Sequence, residues 1–149
     1  MSLSADIMVK MKEAMKAKDQ VALTSLRAIK AAILLAQTET GSKEDLTEEQ
    51  ENKIIQKLVK QRKDSAAIFT AQGRADLAEP ELAQVAIIEQ FLPEQLTEEE
   101  VEKVVIQTIE ALGATSMKDM GKVMGKVNAE LAGQADGKTI SVLVKKNLA

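Results

Sequence analysis

The chain has 149 residues, 45% hydrophobic and 29% charged, with a formal net charge of −3, which suits one compact domain or two small ones. Cysteine and histidine are both absent, which excludes disulfides, thiolate nucleophiles, imidazole bases and the usual ligands of zinc or copper. Aromatic residues make up 1%, so any core is aliphatic, and filling it with Leu, Ile, Val, Ala and 7 Met favours an all-α fold.

A first helix is expected from Ser4 to Ala17, with Ile7, Met8, Met11 and Met15 on its apolar side. Asp19 caps a second, in which Leu23, Leu26, Ile29, Ile33 and Ala36 recur at helical spacing until the polar stretch Thr38-Glu39-Thr40-Gly41-Ser42. Thr47 and Gln50 form a capping box for a third helix, which runs through Ile55, Leu58, Arg62 and Phe69 to about Gln72, where Gly73 ends it. At roughly 24 residues it spans on the order of 36 Å, long enough for a helical arm or hairpin. A fourth helix follows from Asp76 to Phe91, or starts only at Pro80 with proline near the first helical position.

Leu92-Pro93 stops that helix and marks a domain boundary. Beyond it Thr97 and Glu100 make a second capping box for a helix carrying Val101, Val104, Val105, Thr108 and Leu112, stopped by Gly113. Ser116 caps the next, stopped near Gly133, and Asp136 caps a last one with Ile140, Leu143, Val144 and Leu148. The expected architecture is multihelical: an N-terminal helical hairpin or bundle with a long helix over 1–93, then a small three-helix domain over 94–149. No apolar signal segment opens the chain and no run approaches transmembrane length, so a cytoplasmic protein without a membrane role is expected.

The charge is unevenly placed. Segment 1–36 has six basic and three acidic residues, 53–74 six and one, and 113–149 six and three, while acids gather in 39–51 and 94–102 at helix starts. Arg62 falls on the stripe of Leu58 and Phe69, where an apolar residue is expected. One reading buries it against an acid such as Asp64, Asp76 or Glu89. The other joins it with Lys60, Lys63 and Arg74 to present a guanidinium fork to phosphates.

Met117, Met120, Met124, Val127 and Leu131 give the sixth helix one apolar stripe, and Lys118, Lys122 and Lys126 form a second row. Lysines on a helix are ordinarily a solvated surface. The exception lies beside them: Gly121 and Gly125 each cost about 1 kcal/mol in a helix, which points to close approach of a neighbouring helix or a ligand. Ala135-Asp136-Gly137 after Gly133 reads first as a helix-start turn. The same turn offers backbone N–H groups, with Lys138 beside them, to a phosphate or nucleotide edge.

The segment Gly121-Lys122-Val123-Met124, with Gly133, Ala135-Asp136-Gly137 and Ile140, resembles the C-terminal signature of the YqeY family. Lys60-Gln61-Arg62-Lys63-Asp64-Ser65 with Phe69, Gly73-Arg74 with Asp76-Leu77, and Phe91-Leu92-Pro93-Glu94-Gln95-Leu96 fit the same family, so the resemblance runs the full length. One departure is Ala66-Ala67, where relatives are expected to carry an acid. The resemblance implies an all-α protein with a smaller C-terminal helical part, a domain shared with the tail of the GatB subunit of tRNA-dependent amidotransferase. In that enzyme the tail helps recognise tRNA, and a similar domain is fused to some glutaminyl-tRNA synthetases.

A self-contained enzyme is hard to assemble from what remains. Ser116 and Lys118 do not face each other, Glu98, Glu99, Glu100 and Glu102 point in different directions, and no P-loop or dinucleotide fingerprint is present. No catalytic residue, metal site or cofactor is assigned. The leading expectation is a tRNA-binding module, or one that docks on an aminoacyl-tRNA synthetase or amidotransferase, through Arg62, Lys122, Lys126 and the Ala135-Asp136-Gly137 turn. Without aromatics to stack on bases, it would rely on shape and phosphate contacts. The alternatives are a protein-binding helical adaptor with no RNA role, and a subunit taking part directly in transamidation, a carbon–nitrogen ligase reaction with glutamine as amido donor.

Overall fold

A computed structural model describes residues 2–41 and 45–148. Its described residues are all-α, with seven α-helices: α1 Leu3–Ala17, α2 Gln20–Thr40, α3 Glu48–Ala71, α4 Ala75–Ile88, α5 Glu98–Leu112, α6 Met120–Glu130 and α7 Gly137–Leu148. Single 3₁₀ turns occupy Glu89–Phe91 and Met117–Asp119. The chain divides into two compact units, one up to Leu92 and one from Pro93 onward.

In the first unit α1 lies against α2, and α2 and α3 both lie against α4. Leu3, Ile7, Leu23, Leu26, Ile29, Ile33, Ile55, Val59, Val85 and Ile88 form its aliphatic core, with Met11, Leu58 and Phe91 half-buried against it. The apolar side expected for α1 is corrected: Met8 and Met15 are exposed, and the inward row is Leu3, Ile7, Met11 and Ala14. Met8 and Met15 lie one residue round the helix from that row, and a hydrophobic period alone does not separate a flank from a face.

The helix ends follow local chemistry. Asp19 caps α2 through Oδ1, which accepts from the Ala22 amide at 3.1 Å. The capping box at Thr47 and Gln50 is formed in both directions. At three C-termini the same double closure recurs: Asp19 to Ala14 and Lys18 to Met15, Arg74 to Phe69 and Gly73 to Thr70, Ala114 to Ile109 and Gly113 to Glu110. The turning residue is left-handed each time, glycine at 73 and 113 but lysine at 18.

One further boundary differs from expectation, and at another the earlier of two expected starts is the one adopted, to within a residue. The helix α2 runs on to Thr40, because the Thr38 and Thr40 hydroxyls donate to Leu34 and Gln37 carbonyls and Gly41 supplies the left-handed cap. Of the polar stretch expected there, Ser42 lies outside the described residues. The start of α4 is Ala75, with Pro80 inside the helix and exposed. A proline there leaves the Asp76 carbonyl without its helical donor, a loss that solvent can make good on an exposed face.

The expectation that no run approaches transmembrane length is also corrected. With 21 residues and a mean hydropathy of 1.3 over its most apolar window, α2 is long and apolar enough to cross a bilayer. Here its Leu23, Leu26, Ile29 and Ile33 are buried in the core of the first unit.

In the second unit α5, α6 and α7 pack against one another around Val101, Val105, Val123, Val127, Leu131, Ile140, Leu143, Val144 and Leu148. Neither core contains an aromatic residue among its fully buried members, in keeping with a composition that has only two Phe.

Candidate functional site

The second unit is built so that one face of α6 and the start of α7 stay open. Thr97 and Glu100 form the capping box of α5, and Gly113 ends that helix in the left-handed conformation. The chain then turns through Met117–Asp119 into α6. Ser116, expected to cap α6, makes no side-chain cap; the Asp119 carboxylate instead accepts from the Thr115 amide at 3.2 Å. Lys118 therefore sits in the 3₁₀ turn, and the lysine row on α6 itself is Lys122 and Lys126.

The buried side of α6 is Val123 and Val127, with Met120 and Met124 half-buried and Leu131 closing the stripe. Met117, expected in that stripe, precedes the helix and is 46% exposed. The opposite side carries Gly121, Gly125 and Ala129, all exposed, with Lys122 and Lys126 next to them. A Cβ built on Gly121 or Gly125 meets nothing within 4 Å. The close approach expected of these glycines is thus not made by the described residues of the second unit. Ala129 continues the smooth strip at the same four-residue step, a member that sequence reasoning passed over although its spacing was legible.

The turn between α6 and α7 is held from a distance. The Leu96 amide donates to the Gln134 carbonyl at 2.9 Å, and the Gln134 amide to the Leu131 carbonyl at 2.6 Å. Gln95 Nε2 donates to the carbonyls of Pro93 at 2.9 Å and Gly133 at 2.7 Å. The Pro93–Leu96 stretch, read from sequence as a boundary, thereby clamps the loop that presents Ala135-Asp136-Gly137. Asp136 Oδ1 accepts from the Thr139 amide at 2.6 Å, which makes Asp136 the cap of α7. The amides of Gly137 and Lys138 make no hydrogen bond among the described residues, and both residues are exposed. Lys118, Lys122, Lys126 and Lys138 likewise make no ion pair among the described residues. Unsatisfied helix N-terminal amides beside ammonium groups attract anions.

The acids of α5 have structural work. Glu100 completes the capping box, and Glu102 accepts from Lys146 at 3.0 Å and from Asn147 at 3.3 Å. Those two donors, Lys146 first, hold the Glu102 carboxyl below the usual glutamate range.

The cations of the first unit are differently placed. Lys60 pairs with Asp64 at 2.8 Å, Lys63 with Glu89 at 3.0 Å, and Arg74 with Asp76 at 2.9 Å. The Arg74 hydrogen bonds lower the Asp76 carboxyl from its ordinary value. Arg62, half-buried, donates from Nε to Gln84 Oε1 at 2.8 Å and from Nη1 to the Leu58 carbonyl at 3.1 Å. The expectation that it pairs with Asp64, Asp76 or Glu89 is corrected, because each of those acids is held by another cation. Nor do the four cations form one cluster, since about 13 Å of α3 lies between Arg62 and the end of the helix at Ala71, with Arg74 beyond it.

Residues 4–148 match the family described as Yqey-like protein. A Clavispora lusitaniae protein named "Altered inheritance of mitochondria protein 41, mitochondrial" is 33% identical over 134 residues, covering 88% of this chain and 77% of that protein. A Pyrenophora tritici-repentis protein of the same name is 33% identical over 135 residues, covering 89% of this chain and 71% of that protein. A Thermococcus gammatolerans protein named as a subunit of glutamyl-tRNA(Gln) amidotransferase is 41% identical over 73 residues, 46% of this chain but only 12% of that protein. With the family match running over nearly all of its length and relatives aligned across most of theirs, this chain belongs to the Yqey-like protein family.

Proposed function

We propose that the protein is a tRNA-binding module, or an accessory module of a tRNA-dependent enzyme, that works through the outer face of α6 and the start of α7. The observation that carries this reading is the open face itself. Two helix glycines with nothing within 4 Å of a built Cβ among the described residues sit beside Lys122 and Lys126, which have no carboxylate partner among them either. On such a face an RNA backbone reaches the helix without steric hindrance, and the ammonium groups neutralise phosphates. The amides of Gly137 and Lys138, with the Lys138 ammonium, offer a further oxyanion contact. Similarity to part of a protein named as a glutamyl-tRNA(Gln) amidotransferase subunit supports the same direction. A cytoplasmic location belongs to the proposal; relatives named mitochondrial make fractionation of the tagged protein its check.

Titration of the purified protein with total tRNA at several salt concentrations tests the reading. Binding should be saturable and weaken log-linearly with salt, and Lys122→Glu with Lys126→Glu should weaken it and flatten the slope by about two phosphate contacts. Unchanged affinity in that double variant would remove α6 from the site.

A second reading rests on the strip Gly121, Gly125 and Ala129, whose four-residue step suits close packing against a helix of a protein partner. A partner captured from nuclease-treated lysate by the native protein, and lost on Gly125→Leu, would favour it over RNA. Direct participation in transamidation is the third reading, and sustained ammonia release from glutamine by repurified protein would show its glutamine-hydrolysing half and overturn a purely binding role.

A further inference from the structure

We infer that Arg62 and Gln84, on the seam between α3 and α4, form a receptor for a phosphate group. The inference stands apart from the α6 face, because it concerns the first unit and its deciding titration uses inorganic phosphate. A guanidinium on a half-buried residue is commonly met by an anion, since desolvating a charge is costly, and here the donors without a partner are not buried and stay open to one. Arg62 is half-buried and has none among the described residues: Asp64, Glu89 and Asp76 are held by Lys60, Lys63 and Arg74. Its partners are neutral, the Gln84 carboxamide oxygen at 2.8 Å and the Leu58 carbonyl at 3.1 Å.

That arrangement uses up acceptors and leaves donors. Gln84 gives its oxygen to Arg62 Nε, so its amide nitrogen is left to donate. Nη2 of Arg62 makes no hydrogen bond among the described residues. A guanidinium fork fixed through Nε and Nη1, with a carboxamide NH₂ beside it, is a set of N–H groups suited to an oxyanion. Its location fits too, because Arg62 occupies a stripe position between Leu58 and Phe69 where an apolar side chain would serve the fold better.

The test is titration of the full-length protein with inorganic phosphate at low salt, following the Arg62 side-chain Nε–H resonance, alongside thermal unfolding of Arg62→Met and Gln84→Glu. The expected result is a saturable shift in the native protein and affinity about tenfold weaker or worse in both variants, with unfolding temperatures equal or higher. Gln84→Glu is the deciding variant, because a carboxylate at 84 supplies the missing partner, strengthens the fold and competes with the ligand. An unmoved Nε–H resonance, or a Gln84→Glu protein that binds phosphate as well as the native one, overturns the proposal. So does a fall in the unfolding temperature of Gln84→Glu. Repeating the titration with tRNA separates the sources of the group: Gln84→Glu weakens tRNA binding if it comes from RNA, and leaves it unchanged if it comes from a small phosphate.

Discussion

The Leu96 amide donates to the Gln134 carbonyl at 2.9 Å, so the turn that opens the second unit holds the turn that leads into α7. Gln95 reinforces the clamp through the Gly133 carbonyl at 2.7 Å, and Gly133 itself sits at φ 81, where only glycine is free of strain. Gly133→Ala should therefore cost about 1–2 kcal/mol. Denaturant unfolding monitored by circular dichroism checks the loss, and amide exchange at Leu96 should rise with it.

Lys18 takes the left-handed position that glycine fills at 73 and 113 in the same double closure. Lys18→Gly should stabilise the protein by about 0.5–1 kcal/mol, because the strain of a side chain at positive φ exceeds the extra unfolded-chain entropy of glycine. A rise in the thermal midpoint is the expected result.

Gly121→Ala and Gly125→Ala should each add about 1 kcal/mol of stability, since a Cβ at either position meets nothing within 4 Å and alanine is the better helix former. The same variants should bind tRNA more weakly if the backbone is approached there. Stability gained and affinity lost together, measured by calorimetric unfolding and the salt titration, would mark the glycines as kept for contact rather than for folding.

Glu102 ties α5 to α7 through Lys146 and Asn147, and its carboxyl is held below the ordinary glutamate value. A depressed folded pKa gives stability that is present above the unfolded value and lost as pH falls through the folded one. Glu102→Gln should accordingly lower the thermal midpoint at pH 7, and its difference from the native protein should shrink as pH falls below the ordinary glutamate value.

What sequence reasoning read correctly was local. Asp19, the Thr47–Gln50 and Thr97–Glu100 boxes and Asp136 all cap the helices expected of them, because a cap is decided within four residues. The all-α class followed from the scarcity of aromatics and the helical spacing of Leu, Ile and Val. What failed depended on tertiary geometry or on competing local bonds. Arg62 meets Gln84, 22 residues away, through the packing of α3 on α4, and no spacing rule selects Gln84 over Glu89. Ser116 lost the cap of α6 because a 3₁₀ turn intervenes. The exposure of Met8, Met15 and Met117 shows that periodicity identifies a helix more readily than its buried side. Gly121 and Gly125 were legible as unusual, but only the fold shows that no described residue lies within 4 Å of a Cβ placed there.

Each unit has its own set of buried aliphatic side chains, one built on Ile29, Ile55 and Ile88, the other on Val105, Val123 and Val144. A chain arranged in this way need not melt as one body. Heating should resolve into two transitions, with Ile55→Ala eroding one and Val123→Ala the other, so a single melting temperature would average two different events. The face on α6 would then be present or absent with the second transition alone, whatever the state of the residues before Pro93.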